Sequence, residues 1–448
     1  MTRAERRELS GWGRYPRSRS FVLRPVCARE VAPPCEGQMI ARGQGRCYGD
    51  AAQVEGGSVM MTERLARFKS FDEETGWLRA EAGATLAQVL AEFLPRGWFP
   101  KVTPGTKHVS LGGCVAADVH GKNHHRDGTF GAHVRGLEIV LADGTRARCS
   151  PDENAPLFRA AVGGMGLTGV ITEVECRLSR VESAYMIVQH RSARDLDASI
   201  ELLESDAWDD SYTVAWVDCL ARGASLGRGV FMRGHHATAA ELPANVVEPL
   251  KMKARAEVGV PFDLPGWFLN RAAARAFNEL YYRRQGARRE PFLADYESFF
   301  YPLDRLGDWN RLYGGRGFVQ YQCVLPTAGA REGLRALLER IALGGYPCFL
   351  AVLKRFGPEG EGLLSFPLEG YTLALDLPLG DPGLFAFLDG LDLIVLEHGG
   401  RVYLAKDARM KAETFRAMHS RLPEWRRVKA LVDPENRFTS DLARRLGL

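Results

Sequence analysis

The sequence predicts an α+β protein built from more than one domain, and three observations carry that expectation. Between Gly37 and Gly169 glycine is dense, and short apolar runs alternate with turn signals. From about residue 185 the runs lengthen and helical periodicity enters. At Arg401 the pattern changes once more. A chain of 448 residues is long enough for two domains or more. The expected division is a first domain at 1–184, an inserted domain at 185–400, and a return to the first domain at 401–448.

The elements follow in order. Gln38-Met39-Ile40-Ala41 reads as a strand running into the turn residues Arg42-Gly43-Gln44-Gly45. Thr85 is placed to cap a helix over 85–93, and Pro95 ends it. Residues 137–141 form a strand, and Asp143-Gly144 after it signals a hairpin. Residues 156–162 look helical, whereas 170–176 alternate as a strand does. In the second half, strands are expected at 317–325 and 348–355 with a helix at 328–343 between them. Residues 401–406 read as a strand, followed by helices to the C-terminus.

Composition excludes several classes. With 46% hydrophobic and 25% charged residues the chain is ordinary globular protein, and a net charge of +4 supports no nucleic-acid partner. No apolar run reaches the roughly eighteen residues of a membrane span, and the basic N-terminus lacks the apolar core of a secretory signal. The nine cysteines are scattered without a C-x-x-C pair, which argues against zinc ribbons and for reduced thiols in a cytoplasmic protein.

Three glycine clusters carry the chemistry: 41–50, Pro104-Gly105-Thr106 with Ser110-Leu111-Gly112-Gly113, and 163–169. Glycine lets backbone N–H groups approach a pyrophosphate and form anion-binding concavities. The third cluster contains G-x-G-x-x-G at Gly164, Gly166 and Gly169, but a helix precedes it and a strand follows. A dinucleotide fingerprint needs the reverse order, so that reading fails. Taken singly, each cluster reads equally well as a set of tight turns; three within one domain point to a nucleotide.

Further candidates stand outside the loops. His120, His124 and His125 form an H-x3-H-H cluster, but no further ligand set completes a metal site and Gly121 weakens the helix, so no metal is assigned. A structural histidine packed under a bound cofactor is the other reading. On the strand around Phe318, Gln320 and Gln322 share one face while Val319, Tyr321 and Cys323 share the other. Two amides on one face suit a hydroxyl-rich ligand; a solvated face is the alternative. Lys354 ends an apolar strand, and Lys406 follows Val402 and Leu404 on a strand face. Each lysine either snorkels to water or meets an anion. Residues 258–284, with Trp267, Phe268, Phe277 and several arginines, read as a lipid-facing flap or as an ordinary packed helix.

The chain resembles the vanillyl-alcohol oxidase superfamily of FAD-binding oxidoreductases, in particular its branch acting on polyprenyl-phosphate ribose. Besides the glycine loops, the matching segments are Gly11-Trp12-Gly13-Arg14, residues 45–50, 118–125 (with His120-Gly121-Lys122-Asn123-His124-His125), 130–135, Tyr301-Pro302-Leu303-Asp304, 317–322, Lys354-Arg355-Phe356-Gly357, 405–409 and Ser440-Asp441. They run nearly end to end.

The resemblance implies a PCMH-type FAD domain of two α+β subdomains, with an inserted antiparallel-sheet-plus-helix domain roofing the isoalloxazine ring. The implied cofactor contacts are Ala41, Arg42, Gly43, Gln44, Gly45, Arg46, Cys47, Tyr48, Gly49, Asp50, Ala51, Gly105, Ser110, Leu111, Gly112, Gly113, Ala117, Asp118, Val119, His120, Ile171 and Tyr403. Lys406, His120 and Tyr48 take catalytic positions by the same resemblance, and Gln320, Gln322, Lys354, Ala374 and Lys406 contact substrate. Arg46 stands where some relatives carry a flavin-linking histidine, so non-covalent FAD is expected.

The implied reaction is oxidation of the 2′-hydroxyl of a polyprenylphosphoryl-β-D-ribose to a ketone, on the way to an arabinose donor for cell-wall or surface polysaccharide. A separate NAD(P)H-dependent short-chain reductase would complete the epimerisation, and contact with the inner face of the cell membrane would bring the lipid within reach. Oxidation of a small soluble sugar, alditol or aldonolactone, and a non-catalytic flavin subunit, are the alternatives. The chain departs from actinobacterial members at Ala374, where they carry cysteine, at Thr372, where they carry asparagine, and at Phe300, where they carry tyrosine. These changes leave the particular lipid-sugar open.

Overall fold

In the computed structural model, residues 5–33, 37–205, 212–252, 258–288 and 290–448 are described, and the side chain of Trp267 lies outside the described set. Three main sheets organise them. The first runs Glu5–Ser10, Arg17–Leu23, Ser58–Met61, Met39–Arg42, and its last three strands are parallel. The second is antiparallel and centred on the long strand Val170–Arg180, with Trp77–Glu81 and Val134–Val140 on either side. The third has eight antiparallel strands, in the order Phe292–Asp295, Tyr185–Ala193, Gly229–His236, Tyr212–Val217, Ala351–Phe356, Gly370–Pro378, Phe318–Pro326, Arg401–Val402. This is the expected α+β architecture.

Local signals explain the local structure. Thr85 caps the helix Leu86–Phe93 through a capping box with Gln88, each side chain reaching the other's backbone. After Val134–Val140 the chain turns at Asp143-Gly144, where Gly144 adopts φ +87, and Arg146–Cys149 pairs back. The helix Ala155–Ala161 precedes the third glycine cluster and the strand Val170–Arg180 follows it, the order that ruled out the dinucleotide fingerprint. The C-terminal segment closes on the first sheet: Met39 N–H donates to Arg437 O at 2.7 Å, and Thr439 N–H to Met39 O at 2.9 Å. Trp425, fully buried, donates its indole N–H to Ala160 O at 3.1 Å.

Two strand expectations need correction, and with them the placing of Lys354 and Lys406. The strand expected at 348–355 starts at Ala351, because the Cys348 carbonyl accepts from Asn278 Nδ2 (3.4 Å) rather than joining the ladder. Lys354 therefore lies inside the strand, opposite Thr372, and not at its end. The strand expected at 401–406 is only Arg401–Val402. Beyond it the Tyr403 carbonyl accepts from the N–H groups of Lys406 (3.0 Å) and Asp407 (3.1 Å), which curls the chain into a turn. Lys406 thus shares no strand face with Val402 and Leu404. Arg401–Val402 also pairs with Val324 and Cys323, so the eight-stranded sheet extends past residue 400.

Candidate active site

A cavity of about 970 Å3 runs between the glycine-rich loops and one face of the eight-stranded sheet. Among the expected cofactor residues, Ala41, Gly43, Gln44, Gly45, Arg46, Cys47, Tyr48, Ala51, Gly105, Ser110, Gly112, Gly113, Ala117, Val119, His120, Ile171 and Tyr403 line it. Arg42, Gly49, Asp50, Leu111 and Asp118 stand behind the wall and shape it. Arg42 donates to Ser10 O (2.6 Å) and Ala52 O (3.1 Å). Asp50 pairs with Arg445 at 2.8 Å. A Cβ on Gly49 would sit 2.0 Å from Asp407 O, so that contact fixes glycine there. Asp118 accepts from Gly131 N–H (2.9 Å) and Ser365 Oγ (2.5 Å).

The first loop fits a diphosphate on its own geometry. Among the described residues, the backbone N–H groups of Gly43, Gln44, Gly45 and Cys47 have no protein acceptor. Backbone donors seldom stay unpaired without a reason, and successive N–H groups around a positive-φ glycine, here Gly45 at +62, make an anion-binding concavity. The second loop closes against the first: a Cβ on Gly43 would lie 2.1 Å from Ser110 Oγ. Ser110 caps the short helix Leu111–Ala116 through Gly113 N–H.

At the other end, the sheet and a turn bring polar groups together. Gln322, 3% exposed, and Gln320 project from one strand face into the cavity, while Val319, Tyr321 and Cys323 pack into the core. The solvated-face alternative therefore falls. Gln320 Nε2 donates to Asp376, whose carboxyl is pushed up to about 7 by burial. Lys406 Nζ lies 3.8 Å from the centroid of the Tyr48 ring, and burial lowers its pKa to about 8 against the opposing pull of Asp376. Burial holds the Tyr48 phenol well above its usual range. Tyr403 stacks on Phe366 and donates its hydroxyl to Ala117 O at 2.7 Å.

His120 bridges the loop that carries it to two strands of the eight-stranded sheet. Its Nε2 faces Gln322 Nε2 at 3.1 Å and its Nδ1 faces Lys354 Nζ at 3.2 Å. Burial, then the charge of Lys354, drive its pKa well below the ordinary value, so the ring is neutral. A neutral imidazole has one donor and one acceptor, so when charged Lys354 donates to Nδ1 the Gln322 amide turns its oxygen to Nε2–H. His120 and His124 do not share a helix face, since the helix spans only His124–Asp127.

Two groups escaped sequence reasoning. Asp376 lies two residues beyond Ala374 on the strand Gly370–Pro378, a period-two signal that would have placed it on the same face. Lys122 sits inside the quoted histidine motif; it lines the cavity and donates to Phe299 O. Ala374 lines the cavity opposite Gln322, the Thr372 hydroxyl lies 3.1 Å from the same Gln322 amide atom that faces His120 and donates to it when that atom is the oxygen, and Phe300 packs against Tyr212 (4.8 Å).

Unpaired loop amides facing a roof of lysine, amides and neutral histidine define a class, the FAD-dependent oxidoreductases with a PCMH-type fold; residues 31–150 match the family model described as the FAD binding domain. Over 99% of its length the chain is 40% identical to decaprenylphosphoryl-β-D-ribose oxidase of Mycolicibacterium smegmatis, covering 98% of that protein. A Streptomyces coelicolor protein described only as uncharacterised is 39% identical over 81% of the chain and all of its own length. A putative D-arabinono-1,4-lactone oxidase of Neurospora crassa is 30% identical over 42% of the chain and 30% of its own. The chain belongs to the decaprenylphosphoryl-β-D-ribose oxidase family.

Proposed function

We propose that this enzyme oxidises the 2′-hydroxyl of a polyprenylphosphoryl-β-D-ribose to the 2′-ketone. The observation that carries the reading is the cavity itself, polar where it meets the loops and apolar where it continues across the sheet. A soluble sugar would need only the first part. FAD, when bound, accepts the hydride from the carbinol carbon.

The chain's own residues orient the sugar and take the hydroxyl proton. Lys406 receives that proton at Nζ, because burial brings its pKa to about 8, near the operating pH. Tyr48 packs beneath Lys406 and holds it in place. Gln320 and Gln322 hydrogen-bond the sugar hydroxyls. Both ring nitrogens of His120 are engaged, so it acts as a positioning residue rather than the base.

Arg46 has its guanidinium 4.2 Å from the centroid of the Trp12 ring, and residues 41–51 contain no histidine, which supports non-covalent FAD. Acid precipitation should release all the yellow colour into the supernatant. The ketone product calls for a separate NAD(P)H-dependent short-chain reductase to deliver hydride and finish an epimerisation. No helix among the described residues is long and apolar enough to cross a membrane. The lipid is reached by peripheral contact at the inner membrane face through exposed Val258, Phe262, Phe268 and Leu280.

The test is anaerobic flavin bleaching. The wild type should bleach with the polyprenylphosphoryl ribose and not with free ribose, alditols or aldonolactones. Lys406→Met should keep the flavin spectrum and lose bleaching. Bleaching by soluble sugars alone would reject the lipid substrate, and full activity in Lys406→Met would reject the base.

A further inference from the structure

The cavity wall changes character along one sheet face. On the strands Phe318–Pro326 and Gly370–Pro378 it carries Gln320, Gln322 and Asp376, the first two lining the cavity directly. On Tyr212–Val217 and Gly229–His236 it presents Val214, Trp216 and Met232. In register, Gln322 lies opposite Ala374, Ala374 opposite Val352, and Val352 opposite Trp216. The change from amide to aromatic and alkyl therefore takes place over about 14 Å, three strand spacings. Lys354 stands on the strand between the halves, two residues from Val352 on the same face.

The helix Arg271–Gly286 roofs the apolar half. Its Tyr281 ring lies 4.7 Å from Trp216, and its Phe277 ring lies 5.7 Å from Phe349. Facing the same boundary from the first domain is Lys122, whose Nζ sits 4.4 Å from the Phe299 ring centroid. Among the described residues, neither Lys122 nor Lys354 has a carboxylate within 4.0 Å, whereas Lys406 has the charge of Asp376 to oppose its burial. Burial, then the charge of Lys354, lowers Lys122 to about 7, and burial, then the charge of Lys406, lowers Lys354 to about 7. Two desolvated ammonium groups facing one cavity without an anion are electrostatically incomplete.

We propose that Lys122 and Lys354 form the receptor for a phosphodiester, whose polyprenyl chain lies over Val214, Trp216 and Met232 beneath the helix Arg271–Gly286. This deepens the lipid-phosphate ribose reading and rests on it. The order of chemistries across the sheet matches the order within such a substrate: hydroxyls, then anion, then hydrocarbon. The phosphodiester supplies the missing negative charge at the boundary.

Three ribosides test the assignment by flavin bleaching: a long-chain prenylphosphoryl ribose, a short-chain one, and a neutral short-chain prenyl riboside. The wild type should favour the phosphodiesters over the neutral compound by about 100-fold in kcat/KM, as two charge-assisted contacts would give. In Lys122→Met that preference should fall about tenfold, through KM rather than kcat, and Lys122→Arg should restore most of it. Met232→Trp should erase the advantage of the long chain over the short.

Wild-type enzyme turning over the neutral riboside as well as the phosphodiesters would overturn the receptor without any variant. So would a Lys122→Met loss shared equally by all three compounds. An intact chain-length advantage in Met232→Trp would overturn the placement of the chain. Flavin unbleached by any riboside would overturn the functional reading, and this assignment with it.

Discussion

Gly43→Ala is the sharpest perturbation of the cofactor site, because one contact determines its effect. The backbone at Gly43 is not in the positive-φ region, so alanine meets only the neighbouring loop: its Cβ would lie 2.1 Å from Ser110 Oγ and 3.1 Å from Ser110 Cβ. Either the serine rotates away, losing its cap on Gly113 N–H at about 1 kcal/mol, or the loops separate, at about 1–3 kcal/mol of overpacking. Either route costs about 1–3 kcal/mol, which weakens FAD binding about 5- to 140-fold. Titration of apoprotein with FAD, followed by flavin fluorescence, measures it. Ser110→Gly in the same chain removes both clashing atoms and should recover most of the lost affinity. Binding by Gly43→Ala within threefold of wild type, or no recovery in the double variant, would refute the claim that the two loops close on each other at this point.

Other consequences follow from the same geometry. Lys354, ordinarily near 10.5, is lowered to about 7 in the folded chain. Between those values the unfolded state binds more protons, so the residue's penalty is full below pH 7 and fades as pH rises toward 10.5. Apoprotein carrying Lys354→Met should therefore melt above the wild type at pH 6, with the gap narrowing by pH 10; a gap that widens with pH would contradict the burial argument. A thiol-directed covalent inhibitor of this cavity should leave no adduct by mass spectrometry, since position 374 is alanine and burial raises the pKa of Cys47, the one cysteine on the cavity wall among the described residues. Phe262 is 60% and Leu280 64% exposed, so replacing both with serine should reduce flotation with liposomes. Equal flotation of variant and wild type would remove this surface from membrane contact.

What was legible in the sequence was local. The Thr85 N-cap, the Asp143-Gly144 hairpin and the reversed order of helix and strand around Gly164 depend on residues within a few positions of one another, and all three hold in the fold. The superfamily resemblance extended that reach, because long motifs such as residues 120–125 carry information on fold that periodicity lacks. What failed depends on distant partners. No local pattern shows that Asn278 takes the Cys348 carbonyl and shortens a strand by three residues at its start, moving Lys354 into the ladder. Nor does any show that the chain curls at Tyr403 and delivers Lys406 to Tyr48 from a turn.

The charges of the site belong to the same distant category. Lysine is ordinarily a surface residue, and nothing within reach of Lys122, Lys354 or Lys406 along the chain marks them as buried neighbours. Their depressed pKa values arise because three separate segments converge on one cavity: the histidine motif, a central strand and the turn after the last strand. Among the described residues, Lys406 is the one of the three whose burial an acid opposes, Asp376, and that acid comes from a fourth segment. Burial is the largest cause for all three lysines, and repulsion from a neighbouring lysine adds to it for Lys122 and Lys354; the position of Asp376 sets Lys406 apart from that pair. It leaves Lys406 near pH 8, poised to exchange a proton, and leaves the other two as a pair with charge still to be met. The proposed division between chemistry and anion recognition thus turns on where Asp376 lies in the sheet, a property of strand register and not of any motif.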